Sequence, residues 1–175
     1  MIDKIKKIIS FISFQKNKIQ YLRKQGMRVG RDCRIMNGYT DFGTEPYLIS
    51  LGNHVSISAG TKFVTHEGAH WVLKGIDNEK YKDSFNYGRI IVKDNVFIGN
   101  NCIILKGVEI GENCIIGAGS VVTKSLEENG VYAGVPARRI CSLEEWQRKF
   151  DSRQIEYDRD NYKRNKKEEL LRIIK

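Results

Sequence analysis

Between Val92 and Val122 an aliphatic side chain returns at every sixth residue: Val92, Ile98, Ile104, Ile110, Ile116 and Val122. Two positions before each stands a second small or apolar one: Ile90, Val96, Cys102, Val108, Cys114 and Ser120. A period of six matches neither the 3.6 residues of a helix nor the two of a flat strand. It demands a chain that turns after every short strand, so that three units close a triangular coil. Successive coils then stack about 4.8 Å apart, the spacing of paired strands. Each inward side chain is buried by its neighbours in the coils above and below, so no single coil is stable alone. Gly52, Gly99, Gly111 and Gly117, with Asn53 and Asn100, fall at the expected corners. A positive φ or a side-chain-to-backbone bond is expected there.

The beat has weaker copies upstream, at Met27/Val29, Cys33/Ile35, Ile49/Leu51, Val55/Ile57 and Thr61/Phe63. Residues 37–47 lose the register. Between Phe63 and Ile90 it vanishes, which predicts a loop thrown out over residues 64–89, where repeat proteins commonly build a binding face. At Ile104 the usual glycine is replaced by Leu105, which points to an outward apolar contact, such as one between subunits. After Val122 the beat stops, and residues 123–141 read as a turn-rich exit in which Pro136 excludes a regular helix. Three segments result: 1–26, 27–141 and 142–175.

The flanks are different material. Residues 1–25 carry seven basic side chains against Asp3, a net of +6, with Ile5, Ile8, Ile9, Ile12, Ile19 and Leu22 at helical spacing. This predicts an amphipathic helix ended by Gly26, packed on the solenoid or a neighbouring subunit, or resting on anionic membrane. The tail has ten basic and eight acidic residues, with Leu143, Trp146 and Phe150 on one helical edge. Ser142 and Glu145 form a candidate capping box, and a helix followed by a frayed or subunit-contacting end is expected. Cys102 and Cys114 occupy inward repeat positions, so the cysteines read as small core residues and not as disulfides or zinc ligands. With no leader-like opening and no apolar run near the roughly 20 residues of a membrane span, a cytoplasmic location is expected. No nucleic-acid motif accompanies the positive charge.

His66, in the run FVTHEGAH, sits where the solenoid releases its loop. Imidazole is the natural general base near neutral pH, and Glu67 or Glu45 could orient it. His70 is an alternative base or a substrate contact. His54 lies at an outward corner twelve residues before His66, on another face, so a three-histidine metal site would need ligands from another subunit and no metal is expected. Beyond the loop, Ala118 and Gly119 keep the wall small beside Gly117, while Lys124, Arg138 and Arg139 gather near the last coil. Such a groove suits a thin, phosphate-bearing cofactor. Basic residues at a solenoid end can equally serve to solubilise its cap.

The run IGNNCIILKGVEIGENCIIGAGSVVTKSLEENGVYAGVPARRI closely resembles the hexapeptide-repeat acyltransferases, and within them the galactoside, maltose and antibiotic acetyltransferases and the polysaccharide O-acetyltransferases. The resemblance spans about residues 49–141. It implies an all-β fold, a left-handed parallel β-helix flanked by helical segments, assembled as a homotrimer with active sites between subunits. It also implies acetyl-CoA as donor, His66 as base, and the pantetheine arm beside Gly99, Gly117, Ala118 and Gly119, with Lys124, Arg138 and Arg139 towards the nucleotide. Trp71, Tyr81, Phe85 and His70 would then shape the acceptor pocket. The loop run THEGAHWVLKG lacks the His-Pro pair common in the sugar acetyltransferases, which leaves the acceptor open. A hydroxyl of a sugar or surface-polysaccharide precursor, the amino group of a nucleotide sugar and an antibiotic are the alternatives. A non-catalytic trimeric scaffold and a metal hydratase are readings of another class.

Overall fold

The computed structural model describes residues 12, 14 and 17–174. Most of the basic amphipathic segment expected over residues 1–26, including Ile5, Ile8 and Ile9, therefore lies outside the described residues. The chain separates into two compact units, 1–143 and 144–175.

In the first unit, short strands fall on three sheets taken in rotation. The first sheet contains β1 (Arg28–Val29), β3 (Ile49–Leu51), β6 (Ile90–Val92) and β9 (Glu109–Ile110). The second contains β2 (Arg34–Ile35), β4 (Ser56–Ile57), β7 (Phe97–Ile98), β10 (Ile115–Ile116), β12 (Gly130–Ala133) and β13 (Arg138–Ser142). The third contains β5 (Lys62–Val64), β8 (Ile103–Leu105) and β11 (Val121–Val122). All pairings between consecutive coils are parallel, and Val92 pairs with Ile110, Ile98 with Ile116 and Ile104 with Val122, three repeats apart. The core is thus a set of columns such as Ile57–Ile98–Ile116 and Phe63–Ile104–Val122, all buried. Cys102 and Cys114 are free and buried among them, and burial pushes both thiols up, so they stay protonated and inert.

The corners work differently from the expectation for their glycines. Gly52, Gly99, Gly111 and Gly117 do not carry the positive φ. That role falls two residues later in each unit, to Asp32, His54, Asn95, Asn101 and Asn113 at φ 54–56°, and to Gly107 and Gly119. The earlier glycine is required by crowding: a Cβ on Gly99 would stand 2.6 Å from the Ala118 backbone nitrogen, and one on Gly52 2.2 Å from Asp94. Coils stacked at strand spacing leave no room there for a side chain.

One corner adds a ladder. Asn95 Nδ2 donates to Asn113 Oδ1 at 2.8 Å, and Asn113 Nδ2 to Asn129 Oδ1 at 3.0 Å, all three residues left-handed. His54 holds the same left-handed place one coil earlier. An asparagine there tolerates that conformation and can donate to Asn95 Oδ1. His54→Asn should therefore raise stability by about 0.5–1 kcal/mol; an unchanged or lower melting temperature would remove the ladder argument.

Where residues 37–47 lose the beat, the chain still fills the third face. Phe63 N–H donates to Asp41 O at 2.9 Å, Lys62 pairs with the Asp41 carboxylate, and Phe42 stacks on Phe63 with ring centres 5.3 Å apart. Upstream, α1 (Lys18–Lys24) is capped by Asn17, and Leu22 and Phe14 are buried in the solenoid core. Of the apolar stripe, Leu22 and partly Ile19 thus pack inward, whereas Ile12 is 48% exposed.

The solenoid does not end at Val122. Leu126 bridges to Ile110, and β12 pairs in parallel with β10 before β13 reverses along it. Leu126 comes four residues after Val122, so a six-residue count misses it. In the second unit, α4 (Leu143–Asp151, beginning at the unit boundary) stacks Trp146 on Phe150, followed by α5 (Arg159–Arg164) and α6 (Lys166–Ile173). The end is not frayed: the fully buried Glu169 carboxylate accepts from Arg172, from Asn161 Nδ2 and from the Asp158 N–H. The Arg172 guanidinium leads in lowering its pKa to about 2. A depressed carboxylate stabilises fully above its ordinary value, and this contribution is lost only as pH falls towards 2.

Candidate active site

His66 follows β5 by two residues, at the corner where the third sheet hands over to the first. Its backbone bridges to Tyr87; Glu67 N–H donates to Asn86 O at 3.0 Å, and Gly88 N–H to Thr65 O at 2.9 Å. This narrow neck closes the excursion. The excursion is not irregular, since it holds α2 (His70–Ile76) and α3 (Asn78–Tyr81), the latter capped by Asp77. Two short helices separated by one residue present no sustained period, which hid them in the sequence.

Glu45 reaches this corner from the segment that lost the beat. Its Oε2 lies 3.0 Å from His66 Nδ1 and accepts from the Thr65 hydroxyl at 2.6 Å; Oε1 accepts from Thr44. Burial pushes the Glu45 carboxyl up, but the bonds from Thr44, Thr65 and His66 together outweigh it and hold the group below its usual value. A carboxylate facing Nδ1 fixes the imidazole with that nitrogen protonated and leaves the Nε2 lone pair able to take a proton. The side chain of His66 is 45% exposed, so Nε2 is reachable.

Glu67 turns elsewhere: it accepts from Asn86 Nδ2 at 3.2 Å and pairs with Lys106 at 3.3 Å. His70 Nδ1 lies 3.2 Å from Glu67 O. His70, Tyr81 and Phe85 line one cavity of the excursion together with Glu67, whereas Trp71 is 78% exposed and outside that lining. Thr44, Thr65, Asn86 and Lys106 were missed from sequence. Only the Thr beside His66 carried any signal, because Thr44 and Lys106 arrive from other coils and Asn86 from the far strand of the excursion's neck.

The second constellation divides. Gly119 N–H donates to Asn100 O at 2.8 Å, so Gly99, Gly117, Ala118 and Gly119 stack at the corner entering the third sheet. A Cβ on Gly119 would meet nothing within 4 Å, so that corner is open. Lys124 follows β11 and stands at the other corner, where the register of the third sheet sets it level with Lys106 and Thr65. Arg138 bonds Ala137 O, and Arg139 bonds Asn129 O beside Glu127 and the Tyr132 ring. Between the two corners the outward positions of the third sheet are Lys62, Val64, Ile103, Leu105 and Val121, so the face opposite the core is apolar except for Lys62, which pairs with the Asp41 carboxylate. Among the described residues no group of three or more His, Cys, Asp or Glu could hold a metal ion. No described helix is long and apolar enough to cross a membrane.

A parallel solenoid of six-residue units that carries a carboxylate-held histidine at the root of its excursion defines a class, and this chain belongs to the hexapeptide-repeat acyltransferases. The profile described as bacterial transferase hexapeptide (six repeats) matches residues 89–124. Protein CapG of Staphylococcus aureus is 47% identical over 130 residues, covering 74% of this chain and 73% of that protein. The galactoside O-acetyltransferase of Escherichia coli strain K12 is 35% identical over 111 residues, 61% of this chain and 52% of that enzyme. The chain thus spans about half of that second relative. A hexapeptide-repeat acetyltransferase from Vibrio cholerae O1 biovar eltor, solved with acetyl coenzyme A, shares the fold at 21% identity and a TM-score of 0.54, over 74% of this chain and 78% of that one.

Proposed function

We propose that this chain moves an acetyl group from acetyl-CoA to a hydroxyl of a sugar or surface-polysaccharide precursor, with His66 as general base. The Glu45–His66 contact at 3.0 Å carries the reading, because it sets the tautomer that a base requires. Nε2 takes the hydroxyl proton as the oxygen attacks the thioester carbonyl. The tetrahedral intermediate collapses, the C–S bond breaks, and the imidazolium returns the proton to the departing sulfur. A backbone N–H, supplied by a glycine-rich coil of a neighbouring subunit, stabilises the oxyanion.

In this reading the coils wind left-handed and three copies assemble, with the apolar outer face of the third sheet covered by a second copy. Four apolar side chains on that outer face, Val64, Ile103, Leu105 and Val121, favour such burial. The pantetheine arm lies along Gly99 and Gly117–Gly119, where the missing side chains permit close approach. Lys124, Arg138 and Arg139 serve the nucleotide phosphates. The net +6 of residues 1–25 supports peripheral contact of this cytoplasmic enzyme with anionic membrane.

A hydroxyl is favoured over an amine by the engagement of both nearby carboxylates. Glu45 is held by His66, Thr44 and Thr65, and Glu67 by Asn86 and Lys106. An amine arrives as an ammonium ion and needs a carboxylate to receive it.

The test is release of free thiol from acetyl-CoA with sugars, nucleotide sugars and amino sugars as acceptors. Acceptor-dependent release with at least one hydroxyl acceptor is expected. Release with amino acceptors alone would overturn the O-transfer reading, and no affinity for acetyl-CoA would favour the scaffold. Glu45→Gln keeps the shape but removes the charge. A hydrogen bond to a charged group contributes about 1.5–3 kcal/mol, so turnover should fall on the order of 10–10²-fold, with acetyl-CoA affinity retained. Wild-type turnover in that variant would deny Glu45 a positioning role.

A further inference from the structure

The positive charge of the solenoid is gathered at the end where it begins. Residues 17–37 carry six basic side chains (Lys18, Arg23, Lys24, Arg28, Arg31 and Arg34) against Asp32, a net of +5. Residues 107–143 carry four acidic and three basic ones, a net of −1. The parallel register draws this out as a gradient along the outside of the stack. From the first coil onwards the first sheet presents Arg28, Ser50, Ile91 and Glu109. The corner after it presents Arg31, Asn53, Asp94 and Glu112. Lys18 and Arg23 serve the open edge of the first coil, donating to Asn37 O at 2.8 Å and to Val29 O and Gly30 O at 2.7 and 2.9 Å. Lys24, Arg28, Arg31 and Arg34 are exposed, and none of them is ion-paired among the described residues. Like charges held together on one rim repel one another, a cost that an opposing negative surface relieves.

We propose that the first coil itself, through Arg28, Arg31 and Arg34, docks on an anionic lipid surface and holds the coil that carries His66 next to the lipid. This deepens the function proposed above, where membrane contact falls to residues 1–25 alone, and it rests on that function. A bilayer is favoured over a nucleic acid by what stands among the cations. Met36 follows β2 and is 43% exposed, and Tyr47, beside Gly26 at the end of α1, is 61% exposed. Apolar and amphipathic side chains of this kind settle at headgroup level. The gradient supplies the orientation: a negative surface draws the arginine end in and pushes the end with Asp94, Glu109 and Glu112 away. His66 leaves the second coil, because β5 is the edge strand of its sheet, about 5 Å from the first coil. Two cavities run the same way. One of about 270 Å³ holds His66 and Lys62, one of about 390 Å³ reaches Tyr21 and Leu22 of α1, and they share Thr40 and Gly43.

The dock can be read without turnover, by sedimenting the full chain with vesicles. Binding is expected to phosphatidylcholine and phosphatidylglycerol in equal parts, with none to phosphatidylcholine alone, and added salt should weaken it. Changing Arg28→Gln, Arg31→Gln and Arg34→Gln together should lower partitioning on the order of 10²-fold, since each basic side chain near such a surface contributes about fivefold. Lysine at the same three positions should keep the binding. All three are surface residues, and an unchanged thermal melt checks that the variant folds. For orientation, a tryptophan introduced by Met36→Trp should be quenched by brominated lipid, and one introduced by Glu112→Trp, three coils on, should not. The reverse pattern, no binding to the anionic vesicles, equal binding to both kinds, or wild-type binding by the glutamine triple would each overturn the dock. So would binding of duplex DNA, lost in the glutamine triple, by a protein that ignores the vesicles, which would give this end to a nucleic acid. Vesicle binding needs neither acetyl-CoA nor acceptor, so these failures leave the assignment of His66 standing. Failure of the wider function would appear separately, as no thiol release by a protein that still binds the vesicles.

Discussion

Replacing His66 by alanine lowers acetyl transfer by about 10²–10⁴-fold, the usual contribution of a positioned general base. Acetyl-CoA affinity should be nearly unchanged, because in the proposed mechanism the imidazole acts on the acceptor proton and the proposed pantetheine groove lies along the other corner of the third sheet. Stability should be little affected as well, since the side chain is about half exposed and its partner Glu45 keeps two hydroxyl donors, Thr44 and Thr65. The informative extension is the double variant with Glu45→Gln. If the carboxylate works only through the imidazole, its removal costs nothing further once the imidazole is gone, since residues acting as a unit are not additive. A His66→Ala protein with wild-type rates would end the assignment. A double variant with the full product of both losses would mean that Glu45 acts on the substrate directly.

Ile104→Ala should be the most damaging of the conservative core changes, at a cost of about 2–5 kcal/mol. Ile104 is fully buried between Phe63 and Val122, in the middle strand of a sheet with only three strands. A solenoid passes each inward side chain two neighbours, one per adjoining coil, so a cavity there is felt both above and below. For a chain of this length each kcal/mol corresponds to roughly 2–4 °C, so the melting temperature should drop by about 4–20 °C. The adjacent Ile103→Ala separates inside from outside: it points away from the core, is partly exposed, and should change the melt little. Its effect belongs to assembly, read by sedimentation, if a second copy covers the third face. A loss of less than about 2 °C in Ile104→Ala would contradict the stacked-column account.

Much of this could be read along the chain. The six-residue beat placed the strands, the inward columns and the cysteines, because a repeat writes its core positions at constant spacing. The interruption after Phe63 marked where an excursion would leave, and His66 at its root was a candidate base from position alone. The same counting failed where spacing changed. Leu126 and β12 continue the solenoid with a shortened step, and the helices of the excursion are too brief to show a period. The corner glycines were rightly located but for a different reason: they answer to the coil above, and a contact across coils has no local signature.

The partner of the base illustrates the same limit. Glu45 and Glu67 were equal candidates along the chain, and Glu67 is the nearer by far. The structure brings Glu45 to His66 because the irregular segment at 37–47 fills the third face and returns to the corner, while Glu67 is drawn off by Lys106 and Asn86. Trp71 and Phe85 looked alike as loop aromatics, yet one turns outwards and the other joins a row of rings leading to His66. Sequence alone determined the architecture and the site of the excursion, since both depend on spacing within a repeat. Tertiary structure alone decided which carboxylate holds the imidazole and which rings stand beside it, because those contacts join residues from different coils and depend on where each chain segment is carried by the stack.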